Sequence, residues 1–287
     1  MSAVWETVSQ NARLVTLPGV YLRLKAVLDA PDSNLADVAE VVGNDPAMTV
    51  RLLKIVNSAY FGLGVEIDTV NRAVGLLGTQ EVHDLVLAAS VTQSFNGMSN
   101  DVMNMQKFWR HSVVCAITAR ELASLCNALD SERLFVVGLL RDIGHLFIYQ
   151  LAPEMAQEAI ELAQAQDTPL YKAERALLGV DYAKVGADMM RQWQLPQSLW
   201  EPAEYHVEPA KSQDYGVFTS LLHIATHLTD GVDRGVGLEV VLAGVLEHAW
   251  ETTGLSPEQC ADISDRVQVQ VSAVMRLIFP SLKTSAA

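Results

Sequence analysis

The chain has 287 residues, half of them hydrophobic, which is enough for one large helical domain or two modest ones. Its 20 Lys and Arg against 34 Asp and Glu give a net charge of -14, a field that repels phosphate backbones and anionic lipid, so neither a nucleic acid nor a membrane is an expected partner. The three cysteines, Cys115, Cys126 and Cys260, form no CxxC or zinc-type cluster and are expected as reduced thiols in a cytoplasmic protein.

Met1 to Asn11 carries acidic and polar residues with no apolar stretch of signal-peptide type. No uninterrupted apolar run of about 18 residues suggests a membrane span. Apolar positions recur at three and four almost throughout, and no period-two alternation lasts long enough for a strand, so the spacing predicts an all-α protein.

Leu17, Val20, Tyr21, Leu24, Val27 and Leu28 make one helical stripe within residues 16–30. Ser33 or Asn34 can cap a second helix that ends near Gly43. Asp45 and Pro46 open a third, as N-cap and first-turn proline, with Met48, Leu52, Leu53 and Val56 on one face. A loop from Phe61 to Thr69 leads to Val70–Leu77, closed by Gly78, with Thr79 capping a helix that runs to about Phe95.

The turn at Asn96–Asn100 marks an expected boundary between residues 1–97 and 98–287. Beyond it helices are predicted over 101–127, 132–150, 153–166, 169–178, 181–194, 196–206, 215–230, 238–250 and 256–278. Pro153, Pro169, Pro196 and Pro257 stand near four of their starts. The segment from Leu238 to Phe279 reads as a helical pair that closes the bundle or buries a partner.

Two stretches resemble one known family. Asp45-Pro46-Ala47-Met48 through Asn57-Ser58-Ala59-Tyr60-Phe61-Gly62 is similar to the signature of the HDOD family, the HD-related output domain. Ile67-Asp68-Thr69-Val70-Asn71-Arg72-Ala73-Val74-Gly75-Leu76-Leu77-Gly78 is similar to the helix that follows it. The pattern continues through Phe108-Trp109-Arg110-His111-Ser112 and Gly138-Leu139-Leu140-Arg141-Asp142-Ile143-Gly144, and spans roughly residues 14 to 230. The resemblance implies an HD-domain-like multi-helical bundle with an N-terminal helical layer. It also implies bacterial signalling linked to two-component or second-messenger systems, in a family most of whose members are thought to lack hydrolase activity.

A working HD site has an early His, an adjacent His-Asp pair and a late Asp, which hold a divalent metal that activates water against a phosphate. His111 matches the early His. The pair reads Arg141-Asp142, so its His is gone. Thr226 falls at the late Asp, with Asp230 one helical turn on. A guanidinium stays protonated and has no lone pair for a metal. Even two unit charges at about 4 Å with an effective dielectric near 20 repel by about 4 kcal/mol. Two readings of Arg141 stand side by side: a stand-in that neutralises Asp142, or a side chain turned to solvent.

His145, three residues after Asp142, is a candidate for a relocated metal site and otherwise a polar His at a helix end. His206 sits where some HD relatives place a further ligand; the duller account is a His at a helix C-terminus. His223 and His227, at i and i+4, lack the Glu of an HExxH motif. His83 and His248 read as surface residues. Asn57 is expected to bind the neighbouring loop backbone, with Tyr60, Phe61 and Trp193 as packing residues. Met103, Met105, Met189 and Met190 fill core gaps or line an adaptable surface. There is no glycine-rich phosphate loop and no G-x-S-x-G elbow.

Three function classes follow. The first is a non-catalytic signalling module that binds a protein partner and needs no cofactor. The second is an HD-type metal-dependent phosphohydrolase with an altered site, using His111, Asp142, His145 and Asp230 around a divalent metal such as Fe, Mn or Ni. The third is a nucleotide sensor with a phosphate on Arg141. A homo-oligomer is left open by the sequence.

Overall fold

The structure is a computed structural model that describes residues 17–58, 61–95, 102–126, 128, 130–261 and 263–279. Those residues are helices and loops without a strand, so the all-α expectation holds. They form two compact units. Among the described residues, one falls within Leu17–Gly97 with Asp265–Ala287, the other within Met98–Ser264. The second unit expected from the sequence runs from 98 to 287. The structure instead groups the closing helix from Asp265 with the earlier unit.

The first unit begins with α1 (Gly19–Leu28), α2 (Leu35–Gly43), α3 (Pro46–Val56), α4 (Val70–Leu77) and α5 (Thr79–Ser94). Their starts follow local chemistry. Asn34 and Asp37 form a capping box on α2, Asp45 accepts from the Met48 N–H above Pro46, and Thr69 accepts from the Arg72 N–H. Gly78, at φ +89°, turns the chain between α4 and α5. It serves as the N-cap of α5, with Thr79 inside the helix rather than capping it. Asn57 closes α3 as expected: its amide donates to the Ile67 carbonyl at 2.6 Å and accepts the Ile67 N–H at 2.7 Å. Phe61 is half-buried; Tyr60 lies outside the described residues.

Every residue of α5 from Val82 to Thr92 is buried. A helix surrounded on all sides shows no polar face, which is why His83 looked like a surface residue. It is buried instead. Asp84 lies 2.8 Å from His83 Nδ1, and Tyr21 O–H lies 3.1 Å from Nε2.

The second unit holds α6 (Met105–Leu125), α7 (Ser131–Leu140), α8 (Ile143–Leu151), α9 (Pro153–Ala165), α10 (Leu170–Leu178), α11 (Tyr182–Gln192) and α12 (Gln197–Tyr205). After a short 3-10 turn come α13 (Gly216–Arg234), α14 (Leu238–Ala243), α15 (Glu247–Thr253) and α16 (Pro257–Ala261). A last helix, α17 (Ile263–Ile278), leads into the other unit. The single helix expected over 132–150 is two helices, broken at Arg141-Asp142. The helix expected over 238–250 is likewise broken, at Gly244–Leu246.

Close crossings depend on glycine. A Cβ at Gly138 of α7 would lie 2.7 Å from the Ala116 Cα of α6, and one at Gly144 of α8 would collide with the Tyr182 carbonyl of α11. Ala159, Ala163 and Ala173 form a small separate core in the α9–α10 hairpin, packed against Leu162, Leu170 and Leu177. Ser131–Leu151 has the length and apolarity of a membrane span, yet 83% of that window is buried inside the protein.

Candidate functional site

The site lies within the second unit, where three pieces of backbone converge. His111 and Cys115 are one turn apart on α6 and face the same way. Thr226 and Asp230 have the same spacing on α13. Arg141 and Asp142 lie between α7 and α8, and the break in the helix directs both side chains into the gap.

Arg141 is 1% exposed, so the reading that turns it to solvent does not hold. Its Nε lies 3.1 Å from Cys115 Sγ and 3.1 Å from Thr226 Oγ1. One terminal nitrogen donates to Asp142 Oδ2 and the other lies 2.7 Å from His111 Nε2. His111 Nε2 is also 3.6 Å from Asp142 and 3.3 Å from Asp230. The guanidinium therefore sits among the very residues that the HD pattern assigns to metal binding.

The electrostatics follow from this packing. Burial alone would make Arg141 easier to deprotonate, but its surroundings, Cys115 first and then Tyr182 and Asp230, raise its pKa instead. Burial pushes the Cys115 thiol up, against the pull of Arg141, so the sulfur is a neutral partner. Burial raises the Asp230 carboxyl, yet it is held below its ordinary value, with His111 3.3 Å away and the Arg141 charge close by.

A divalent metal does not fit these residues. Two N–H groups 2.7 Å apart would repel, so His111 receives the Arg141 N–H at Nε2, and a nitrogen that accepts a hydrogen bond has no lone pair left for a cation. Asp142 is paired with a permanent positive charge. Among the described residues no group of three or more His, Cys, Asp or Glu is arranged to hold an ion.

The other candidates lie elsewhere. His145 stacks on Tyr182 with ring centroids 4.0 Å apart and reaches Glu174 at 3.2 Å. His206 is buried; Nδ1 lies 2.8 Å from the Ala203 carbonyl and Nε2 lies 2.9 Å from Tyr182 O–H. Nδ1 of His206 thus donates to a last-turn carbonyl, and Nε2 accepts the phenol. His223 has both nitrogens occupied too, by the His206 carbonyl at 2.7 Å and the Leu246 N–H at 3.1 Å. Burial, with the Arg141 charge adding to it, pushes His206 down to about 3; burial and His227 push His223 to about 4. His227 is lowered by burial, and its ring meets that of His223 edge-on at 4.5 Å.

Sequence reasoning missed Cys115 as an Arg141 partner and Tyr182 as the link between His145 and His206. The i, i+4 spacing of Cys115 from His111 was the available signal. Trp193, Met189 and Met190 are core residues, whereas Met103 and Met105 are half-buried and His248 is exposed.

The HDOD domain model matches residues 14–209. The chain belongs to the HDOD domain family. A protein of Treponema pallidum (strain Nichols), described only as uncharacterized, is 26% identical to this HDOD chain over 193 residues, which are 66% of this chain and 37% of that one. This chain therefore spans little more than a third of that relative. Among solved structures, a candidate phosphohydrolase from Shewanella amazonensis SB2B has a TM-score of 0.74 at 24% identity, covering 96% of this chain and 98% of that one. An HDOD domain protein of unknown function from Geobacter sulfurreducens has a TM-score of 0.72 at 20% identity, with 96% and 99% covered. A candidate signal transduction protein from Marinobacter aquaeolei VT8 scores 0.70 at 20% identity, covering 94% of this chain and 60% of that one. At these identities the likeness is one of fold.

Proposed function

We propose that this HDOD protein is a non-catalytic regulatory module of bacterial signal transduction, linked to a two-component or second-messenger system. It acts in the cytoplasm by binding a signalling protein. The observation that carries this reading is the buried Arg141 guanidinium among His111, Asp142, Cys115 and Thr226. A phosphohydrolase of this type needs a Lewis acid at that place, and a fixed cation with four partners opposes one. The scaffold is kept while the chemistry is lost, as expected of a domain retained for binding.

The test measures metal content of the purified protein together with hydrolysis of phosphomonoesters, cyclic nucleotides and alarmones. The expected result is sub-stoichiometric metal and no turnover above background. Stoichiometric Fe, Mn or Ni with turnover that depends on it sinks the proposal. An Arg141→His chain, which removes the cation and supplies an imidazole, is the comparison that should gain metal.

The second reading, a phosphohydrolase with an altered site, draws on one observation: His111 Nε2 lies within 3.6 Å of both Asp142 and Asp230. Activity that persists after His111→Ala and Asp142→Ala are combined would count against it. The nucleotide-sensing reading is weaker, since each of the three Arg141 nitrogens already has at least one protein partner.

A further inference from the structure

The C-terminal end of α13 and the short helix α14 carry apolar side chains into solvent. Gly231 of α13 admits α14 so closely that a Cβ there would collide with Val241, and a Cβ at Gly244 would lie 3.2 Å from the His227 ring. This close approach buries Val241 and Val245. It leaves Val232, Val236, Leu238, Val240 and Leu246 exposed, Val240 at 67% and Leu246 at 46%. Single exposed apolar residues are ordinary; five within residues 232–246 need an explanation.

Charge selects the occupant. Glu239 and Glu247 are exposed next to Leu238, Val240 and Leu246 in the chain, and Arg234 is the one Lys or Arg between residues 232 and 251. Its Nε is turned back to the Asp230 carbonyl at 3.4 Å. A second copy would set acidic rim against acidic rim, and an anionic bilayer would be repelled. A helix with an apolar stripe flanked by Lys or Arg meets both features.

We propose that this face docks a basic amphipathic helix of the signalling partner, a proposal that rests on the reading of the protein as a binding module. The face shares a helix with the centre. α13 carries Thr226 and Asp230 a few residues before Val232, and the Leu246 N–H is held by His223, whose Nδ1 reaches the His206 carbonyl.

The experiment titrates the full chain into a labelled peptide of about 18 residues, five helical turns, with a Leu stripe and a Lys face, read by fluorescence anisotropy. The comparison peptides are a scrambled version of the same composition and one with Glu in place of Lys. The expected result is micromolar binding of the Lys peptide and at least tenfold weaker binding of both controls. Val240→Asp, and separately Glu239→Lys with Glu247→Lys, should each weaken it at least tenfold while circular dichroism stays unchanged. Equal binding of the scrambled peptide, or an affinity within twofold after Val240→Asp, overturns the proposal. So does sedimentation of a dimer, or binding of phosphatidylserine vesicles, that Val240→Asp abolishes. The metal and turnover assays are read separately. A protein without metal or turnover that ignores the peptide removes this surface and leaves the binding-module reading in place.

Discussion

At the scale of single residues, the buried cation at position 141 carries a definite energetic expectation. Asp142 is 5% exposed and its carboxylate is paired with Arg141. Removing one partner of a buried pair strands the other charge, which costs about 3–5 kcal/mol, far more than an exposed pair contributes. Arg141→Ala should therefore lower the unfolding free energy by about that amount in a urea titration. Arg141→Lys should recover part of it, since an ammonium keeps the charge but cannot reach Cys115, Thr226, Asp142 and His111 at once. A loss under about 0.5 kcal/mol for the alanine variant would mean that the guanidinium is not holding the cluster together.

His206 and His223 supply a second expectation. Both are buried and neutral, with pKa values of about 3 and about 4, below the unfolded value of about 6.5. The unfolded chain binds more protons than the native one between these limits, so stability rises with pH across them and falls as the solution is acidified. The contribution is fully present above pH 6.5 and is lost as pH drops towards 4. Between pH 7 and pH 5 the loss should be about 4 kcal/mol for the two groups together, at about 1.4 kcal/mol per unit below 6.5 for each. Chemical denaturation at a series of pH values reads it directly, and a flat profile over that range would mean that the two rings are not buried as neutral acceptors.

At the scale of elements, what the sequence made legible and what it hid have the same cause. Helices that expose one face announce themselves: α2, α3 and α4 begin at caps visible in the chain, Asn34, Asp45 and Thr69. The break at Arg141-Asp142 was invisible, because Leu140, Ile143 and their neighbours are apolar on both sides and periodicity runs straight through. His83 was misplaced for the same reason, since α5 has no solvent-facing side to contrast with. The ligand positions His111, Arg141 and Asp142 were readable through the family pattern. The partnership of Arg141 with Cys115 was not, since it depends on how α6 approaches the break. Glycine makes that kind of crossing testable. Gly144→Ala drives a Cβ into the Tyr182 carbonyl and the Gly186 amide, so it should cost several kcal/mol and displace the Tyr182–His206 hydrogen bond. Gly75, inside α4, has nothing within 4 Å of an added Cβ. Gly75→Ala should instead raise stability by up to about 1 kcal/mol through helix propensity. Thermal melts of the two variants should move in opposite directions; a shared direction would show that the α8–α11 crossing is looser than the structure describes.

At the scale of the whole molecule, chain order and compact units do not coincide. The unit that contains the Arg141 centre draws its helices from Met98–Ser264, whereas the other is closed by a segment that comes last, Asp265–Ala287. Val267, Val271, Val274, Met275 and Phe279 of that segment are buried. Side chains of this kind contribute about 1.5–3 kcal/mol each when fully buried, as an upper estimate, which is comparable to the entire stability of a small unit. A chain ending at Ser264 should therefore lose most of the stability of Leu17–Gly97 while the Arg141 centre keeps its own core. Hydrogen exchange followed by peptide should show amides of α1 to α5 losing protection and amides of α6 and α13 retaining it. Protection lost evenly in both regions would mean that the molecule unfolds as one cooperative body. Protection kept in α1 to α5 would mean that the final helix is an accessory rather than the closing element of that unit.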